Sequence, residues 1–327
     1  MKLTVKIGIA FYNNGSHSTE VILDWPKAVG ANAANEKVPT EIAYTLNGIR
    51  WGYDIPAGTS RHMWLKLDLE EHKSEKAKKM KNDRTLLFGQ ADNSSKNAET
   101  ILSEYLKQVV QHFLKNLSRV YGQELWKSLE MVLVVTFPAV WSDSAKDKTL
   151  NAVSKAGFNP SDLPQLAKVL TVTEPEAAAI ETLKAYHDTP VIKELLIDDG
   201  FVICDMGGGT VDLISYRVVA TDPIKLEETT IGTGDQCGSS FIEREFIRWL
   251  EKKLGISNFL RISGNKLSSE VSYSSLPPSL EKLVRAFTKE KLAFDGQQET
   301  TIFLPRPLHT IDDPELDVED GELTISK

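Results

Sequence analysis

The run Phe201-Val-Ile-Cys-Asp-Met-Gly-Gly-Gly-Thr-Val-Asp-Leu213 constrains this chain more than any other. Residues 201–204 read as a buried strand that ends in Asp205. Three glycines then make a tight turn, and residues 213–219 return as the antiparallel partner. Gly207, Gly208 and Gly209 let the backbone approach a ligand closely and aim successive N–H groups at one anion, as in a phosphate-binding nest. Asp205 and Asp212, one on each side of the turn, suit a hydrated Mg²⁺, which takes few protein ligands. Thr210 is placed to orient a water or a phosphate oxygen. The competing reading is a glycine-rich hairpin turn with capping acids; the flanking strands and both aspartates favour a phosphate. No Gly-Lys-Ser/Thr follows, so this is not a P-loop, and a strand rather than a helix comes next, so it is not a dinucleotide fingerprint.

Around this turn, strands alternate with amphipathic helices. Residues 5–11 and 21–25 are apolar stretches separated by a turn containing Asn14-Gly15. Asn47-Gly48 lies between residues 42–46 and 49–53 and predicts a two-residue hairpin turn. Residues 70–81 carry a dense mixed charge run, read as a solvated helix face or loop. Apolar positions from Ile101 through Leu117 recur at helical spacing, predicting one long helix over 98–121. Residues 131–137 read as a strand buried on both faces. Helices are expected over 144–156, 176–187, 241–254 and 280–294, a short strand over 169–172, and strand-like sequence with a Pro-rich break over 301–327. Sheets with crossing helices occur twice, which predicts an α/β architecture in two lobes, residues 1–185 and 186–327.

Composition narrows the function. With 327 residues and 41% hydrophobic content the chain can bury a sizeable core. A net charge of -8 argues against a broad nucleic-acid surface. No apolar run is long enough to span a bilayer and the first residues do not open a signal peptide, so a cytoplasmic protein with no membrane partner is expected. Cys204 and Cys237 are too few for a disulfide framework or zinc site and are expected in or near the core. The six histidines show neither metal spacing nor a Ser/His/Asp order.

The glycine turn resembles the second phosphate loop of the heat-shock protein 70 family, and three further motifs follow that family's order. Val134-Val-Thr-Phe-Pro-Ala-Val-Trp141 and the residues to Thr149 resemble its proline segment, where Pro138 matches a proline that relays nucleotide state and Lys146 replaces an arginine. Thr173-Glu-Pro-Glu-Ala-Ala-Ala179 resembles its connecting motif, and Gly232-Thr-Gly-Asp-Gln-Cys-Gly-Ser-Ser-Phe241 its later glycine segment. Lys37-Val-Pro-Thr-Glu-Ile-Ala-Tyr44 and Trp64-Leu-Lys66 fit a divergent branch abundant in fungi.

The resemblance implies a two-lobed actin-like ATPase (ribonuclease H-like) fold that binds ATP or ADP with Mg²⁺. It implies that Glu174 and Thr210 position the attacking water, that Lys66 approaches the γ-phosphate, and that Asp205 and Asp212 hold the metal. Gly207, Gly208, Gly209, Thr210, Gly238 and Lys289 would contact the nucleotide. For Lys66 the plain alternative is an exposed lysine on a strand.

Two departures qualify that expectation. The family's first phosphate loop is matched here by Ile7-Gly-Ile-Ala-Phe-Tyr-Asn-Asn-Gly15. Either Ala10 replaces its aspartate and Tyr12, Asn13 and Asn14 replace its glycine and threonines, or that strand is missing and residues 8–11 are the next one. At the other end the adenosine-binding turn and the peptide-binding domain are not matched, so the fold is expected to be incomplete at both ends, with an apolar face left uncovered. Electrostatic clamping from both lobes drives phosphoryl transfer, so weak nucleotide binding and weaker hydrolysis are expected. The competing expectations are a pseudo-ATPase that binds an unknown protein partner or client, a sugar or acetate kinase, and a degenerate gene product.

Overall fold

A computed structural model of the chain describes residues 6–15, 18–27, 35–70, 82, 85, 88, 96–187, 196–235 and 237–326. They form a mixed α/β protein divided into two compact units. The first comprises Met1–Leu65, His72–Asn97 and Ser239–Lys327, the second Lys66–Glu71 and Ala98–Gly238. Apart from Glu70, the charge run at 70–81 lies outside the described residues.

In the first unit β1 (Lys6–Ile7) pairs antiparallel with β4 (Val38–Pro39), and β2 (Ala10–Asn13) with β3 (Ser18–Val21). β5 (Ile42–Thr45) and β6 (Gly48–Trp51) form the expected hairpin. Its turn falls one residue earlier than the Asn-Gly pair suggests, on Leu46 and Asn47. Gly48, at φ 99°, pairs with Thr45 as the first residue of the returning strand. Glycine is needed there because a side chain disfavours that left-handed backbone.

The second unit opens with α1 (Ala98–Tyr121), whose buried face is the predicted apolar stripe, Ile101 through Leu117. β7 (Met131–Phe137) leads to α2 (Asp143–Lys155), capped by the Ser142 hydroxyl, which accepts from the Ala145 amide at 3.3 Å. β8 (Leu166–Thr173) then pairs parallel with β7, as a crossover helix permits. It runs directly into α3 (Glu174–His187), which packs against β7, β8 and β9 (Gly200–Met206). β9 pairs with β10 (Val211–Thr221), which is flanked on its other edge by β11 (Ile224–Glu228) and β12 (Thr233–Asp235).

Two strands read as buried are covered on one face only. Along β7, burial alternates, and Val132 and Val134 are about half exposed at 51% and 54%. Along β9 the same alternation leaves Val202, Cys204 and Met206 exposed. The covered face of the β9–β10 pair, with Phe201, Ile203, Ile214 and Tyr216, packs on Ala179 of α3. An apolar run signals burial but not how many faces are covered, because that depends on what packs on each side of the sheet. Cys237 is exposed as well, so neither cysteine lies in the core.

In the first unit, α4 (Ser239–Ile262) is interrupted at Gly255, whose non-helical backbone (φ 73°, ψ 155°) ends its first helical segment at the predicted position, 254; a second segment follows across the kink. Its Phe246 stacks on Phe287 of α5 (Pro278–Ala293), with ring centroids 4.0 Å apart. Phe88 lies in an aromatic cluster with Trp64, Phe241 and Tyr273. The terminal sequence forms a small antiparallel sheet of β13 (Thr300–Phe303), β14 (Val318–Glu319) and β15 (Glu322–Ile325).

Beside this core, Arg61 is buried with two carboxylates, 3.1 Å from Glu41 and 3.6 Å from Glu281. Removing one member of a buried ion group leaves uncompensated charge, which costs more than the intact group contributes. Arg61→Ala is therefore expected to destabilise this unit by about 3–5 kcal/mol, read as a lower urea midpoint with unchanged slope.

Candidate functional site

The glycine turn is built as the tip of the β9–β10 hairpin. Gly207 donates to the Thr210 carbonyl at 2.9 Å, and Met206 pairs with Val211 just outside the turn. Among the described residues, the amides of Gly208, Gly209 and Thr210 make no hydrogen bond within the protein. Three consecutive donors at one turn form the kind of nest that receives an anion.

Asp205 and Asp212 are direct cross-strand partners, on the covered face of the hairpin. Thr210 Oγ1 donates to Asp212 Oδ2 at 2.9 Å. Burial pushes the Asp212 pKa up, and nearby Asp205 adds to this, while the Thr210 hydroxyl and the charge of Lys66 oppose it. On the far side, β12 places Gly234 opposite Asp212. A Cβ on Gly234 would lie 2.2 Å from Asp212 Oδ1, so only glycine leaves that carboxylate its position. Gly238 closes the turn from outside. Its amide donates to the Gly209 carbonyl at 3.2 Å, and a Cβ there would meet the backbone of Gly207 and Gly208 at 2.6–2.7 Å.

The other half of the site comes from motifs distant in sequence. Phe137 pairs with Thr173 across the β7–β8 ladder, which sets the Pro138 turn beside the start of α3. Thr173 Oγ1 accepts from the Glu176 amide at 3.3 Å, as an N-cap does, and this fixes Glu174 in the first turn. Lys66 Nζ lies 2.5 and 2.6 Å from the two Glu174 carboxylate oxygens and 5.8 Å from the centre of the Trp141 ring. Lys66 sits in a turn rather than on a strand, and it is half-buried and paired rather than free. Sequence reasoning assigns no role to Trp141, Gly234 or Glu70, although Trp141 and Gly234 stand inside the motifs that carry the resemblance. Lys146 makes an exposed contact with Asp143 at 3.4 Å. Lys289 belongs to the first unit, exposed on α5.

Two carboxylates facing each other match a Mg²⁺ that shares its coordination with water and phosphate. An all-protein cage is a poorer match, since no group of three or more His, Cys, Asp or Glu suited to a metal occurs among the described residues. Nor, among those residues, is any helix long and apolar enough to cross a membrane.

No protein-family model matches the chain. It is similar to the chaperone protein DnaK of Thalassiosira pseudonana, 26% identical over 212 residues, covering 65% of this chain and 29% of the relative. It is similar as well to the human heat shock 70 kDa protein 12A, 25% identical over 277 residues, 68% of this chain and 40% of the relative. DnaK of Thermus thermophilus matches at 24% over 202 residues, covering 62% of this chain and 27% of the relative. The chain is thus weakly homologous to the DnaK and heat-shock 70 proteins over about two thirds of its length, and it spans less than half the length of these relatives.

Because its folded-state pKa is raised, Asp212 binds its proton more tightly folded than unfolded. Its contribution to stability therefore falls as pH rises from the unfolded value through the folded one. Asp212→Asn, which keeps an acceptor for Thr210, is expected to be more stable than wild type at pH 7 and to lose that advantage near about pH 3. Urea unfolding at the two pH values measures the difference.

Proposed function

We propose that the chain is a heat-shock-70-like module of the actin-like ATPase fold that binds Mg-ATP, with its two lobes at residues 1–185 and 186–327. The observation that carries this reading is the hairpin tip, where three unbonded amides, at Gly208, Gly209 and Thr210, stand between opposed aspartates. The amides suit a phosphate chain. Asp205 and Asp212 would hold Mg²⁺, which when bound supplies positive charge against the phosphates. Thr210 and Glu174 would orient a water, and Lys66 would meet the terminal phosphate as a point charge. Gly238 and Gly234 act by leaving room. The weak homology to DnaK and heat-shock 70 proteins supports the same class.

One observation favours weak hydrolysis. The Lys66 ammonium and the Glu174 carboxylate neutralise each other in a two-oxygen contact, so the groups assigned to phosphate and water are engaged with one another. A pseudo-ATPase that uses the same fold to bind a protein partner is the second reading this pair supports.

Calorimetric titration of Mg-ATP into the folded chain tests the proposal. Saturable binding is expected in the wild type, weakened by about tenfold or more, roughly 1.4 kcal/mol, in Asp205→Ala. No heat of binding at millimolar Mg-ATP from a folded sample would overturn it.

A further inference from the structure

We infer that Glu70 is a positioning residue for Lys66, acting through the short segment that carries them both. Lys66–Glu71 groups with the second unit, although the chain before and after it belongs to the first. Residues 66–70 have no regular secondary structure of their own, so other contacts must hold them. Leu67 and Leu69 are buried. Glu70 Oε2 accepts from the Ser142 amide at 3.1 Å, and Lys148 Nζ donates to the Leu69 carbonyl at 3.4 Å.

The contact with Ser142 carries the most weight. Ser142 is the N-cap of α2, so the Glu70 carboxylate lies at the positive end of that helix, where a negative charge is favoured. The residue before it, Trp141, presents its ring to the Lys66 ammonium. One dipeptide thus grips the segment at both ends, by a cation–π contact at Lys66 and a charge-assisted hydrogen bond at Glu70. Lysine is a flexible side chain with about 2 kcal/mol of rotamer entropy. Its seat on Glu174 therefore depends on a backbone that is fixed in advance. Without Glu70 the segment keeps Leu67, Leu69 and the longer contact from Lys148 of α2, but loses its bond to the N-terminus of that helix.

The functional meaning of this arrangement rests on the proposed role of Lys66 at a phosphate, but the positioning itself can be read without nucleotide. In protein labelled with ¹³Cε-lysine, the Lys66 signal is identified by its loss in Lys66→Arg. In Glu70→Ala that signal is expected to move to the position of solvent-exposed lysines and to sharpen. In Glu70→Gln, which keeps an acceptor for the Ser142 amide, it is expected to stay near its wild-type position, a rescue that a general loss of stability would not give. Mg-ATP affinity should fall about tenfold in Glu70→Ala, with no further loss in the double variant with Lys66→Ala. If Glu70→Ala does not fold, Glu70→Asp, with a side chain one methylene shorter, is read in the same way. An unmoved Lys66 signal in a folded Glu70 variant lacking the contact overturns the inference. A moved signal in a protein whose wild type binds no Mg-ATP upholds Glu70 as the positioning residue and overturns the nucleotide reading instead.

Discussion

Asp205 and Asp212 face each other across the β9–β10 ladder, and like charges directly opposed on two strands repel. Placing them on the covered face of the hairpin adds a desolvation cost, which shows in the raised pKa of Asp212. The surroundings of the pair offset that cost. The Thr210 hydroxyl donates to one carboxylate, and the charge of Lys66 favours its ionised form. Gly234 leaves the carboxylate its space, and Gly238 seals the turn that joins the two strands. Such a pair is stabilised further by any cation brought to it, which gives the hairpin tip its chemical character.

The second element of the site is a salt bridge assembled from remote pieces of chain. Glu174 is fixed by the junction of β8 and α3, where Thr173 caps the helix. Lys66 arrives 108 positions earlier in sequence, on a segment without secondary structure that is tied to the cap of α2. The Pro138–Trp141 turn joins the two, since it follows the strand that pairs with β8 and carries the ring that faces Lys66. Motifs that follow one another only loosely in sequence are thereby gathered within one compact unit.

Many of these elements are legible in the amino-acid sequence. The apolar period sets the long helix at 98–121, and two apolar runs about three glycines set the hairpin at 201–219. Local backbone preference and side-chain periodicity act over a few residues, so a linear reading captures them. Exposure is less legible. The runs at β7 and β9 look continuously apolar, yet each has one open face, and both cysteines are outside the core.

The sequence by itself determined the elements, the glycine turn and the identity of the acids on either side of it, because these depend on near neighbours in the chain. Only the tertiary structure decided that Asp205 and Asp212 are in register, that Gly238 rests on the turn, and that Lys66 meets Glu174 beside Trp141. Those facts depend on which distant segments pack together. Long-range contacts of that kind are fixed by burial and close packing of the whole unit, and no window of sequence contains them.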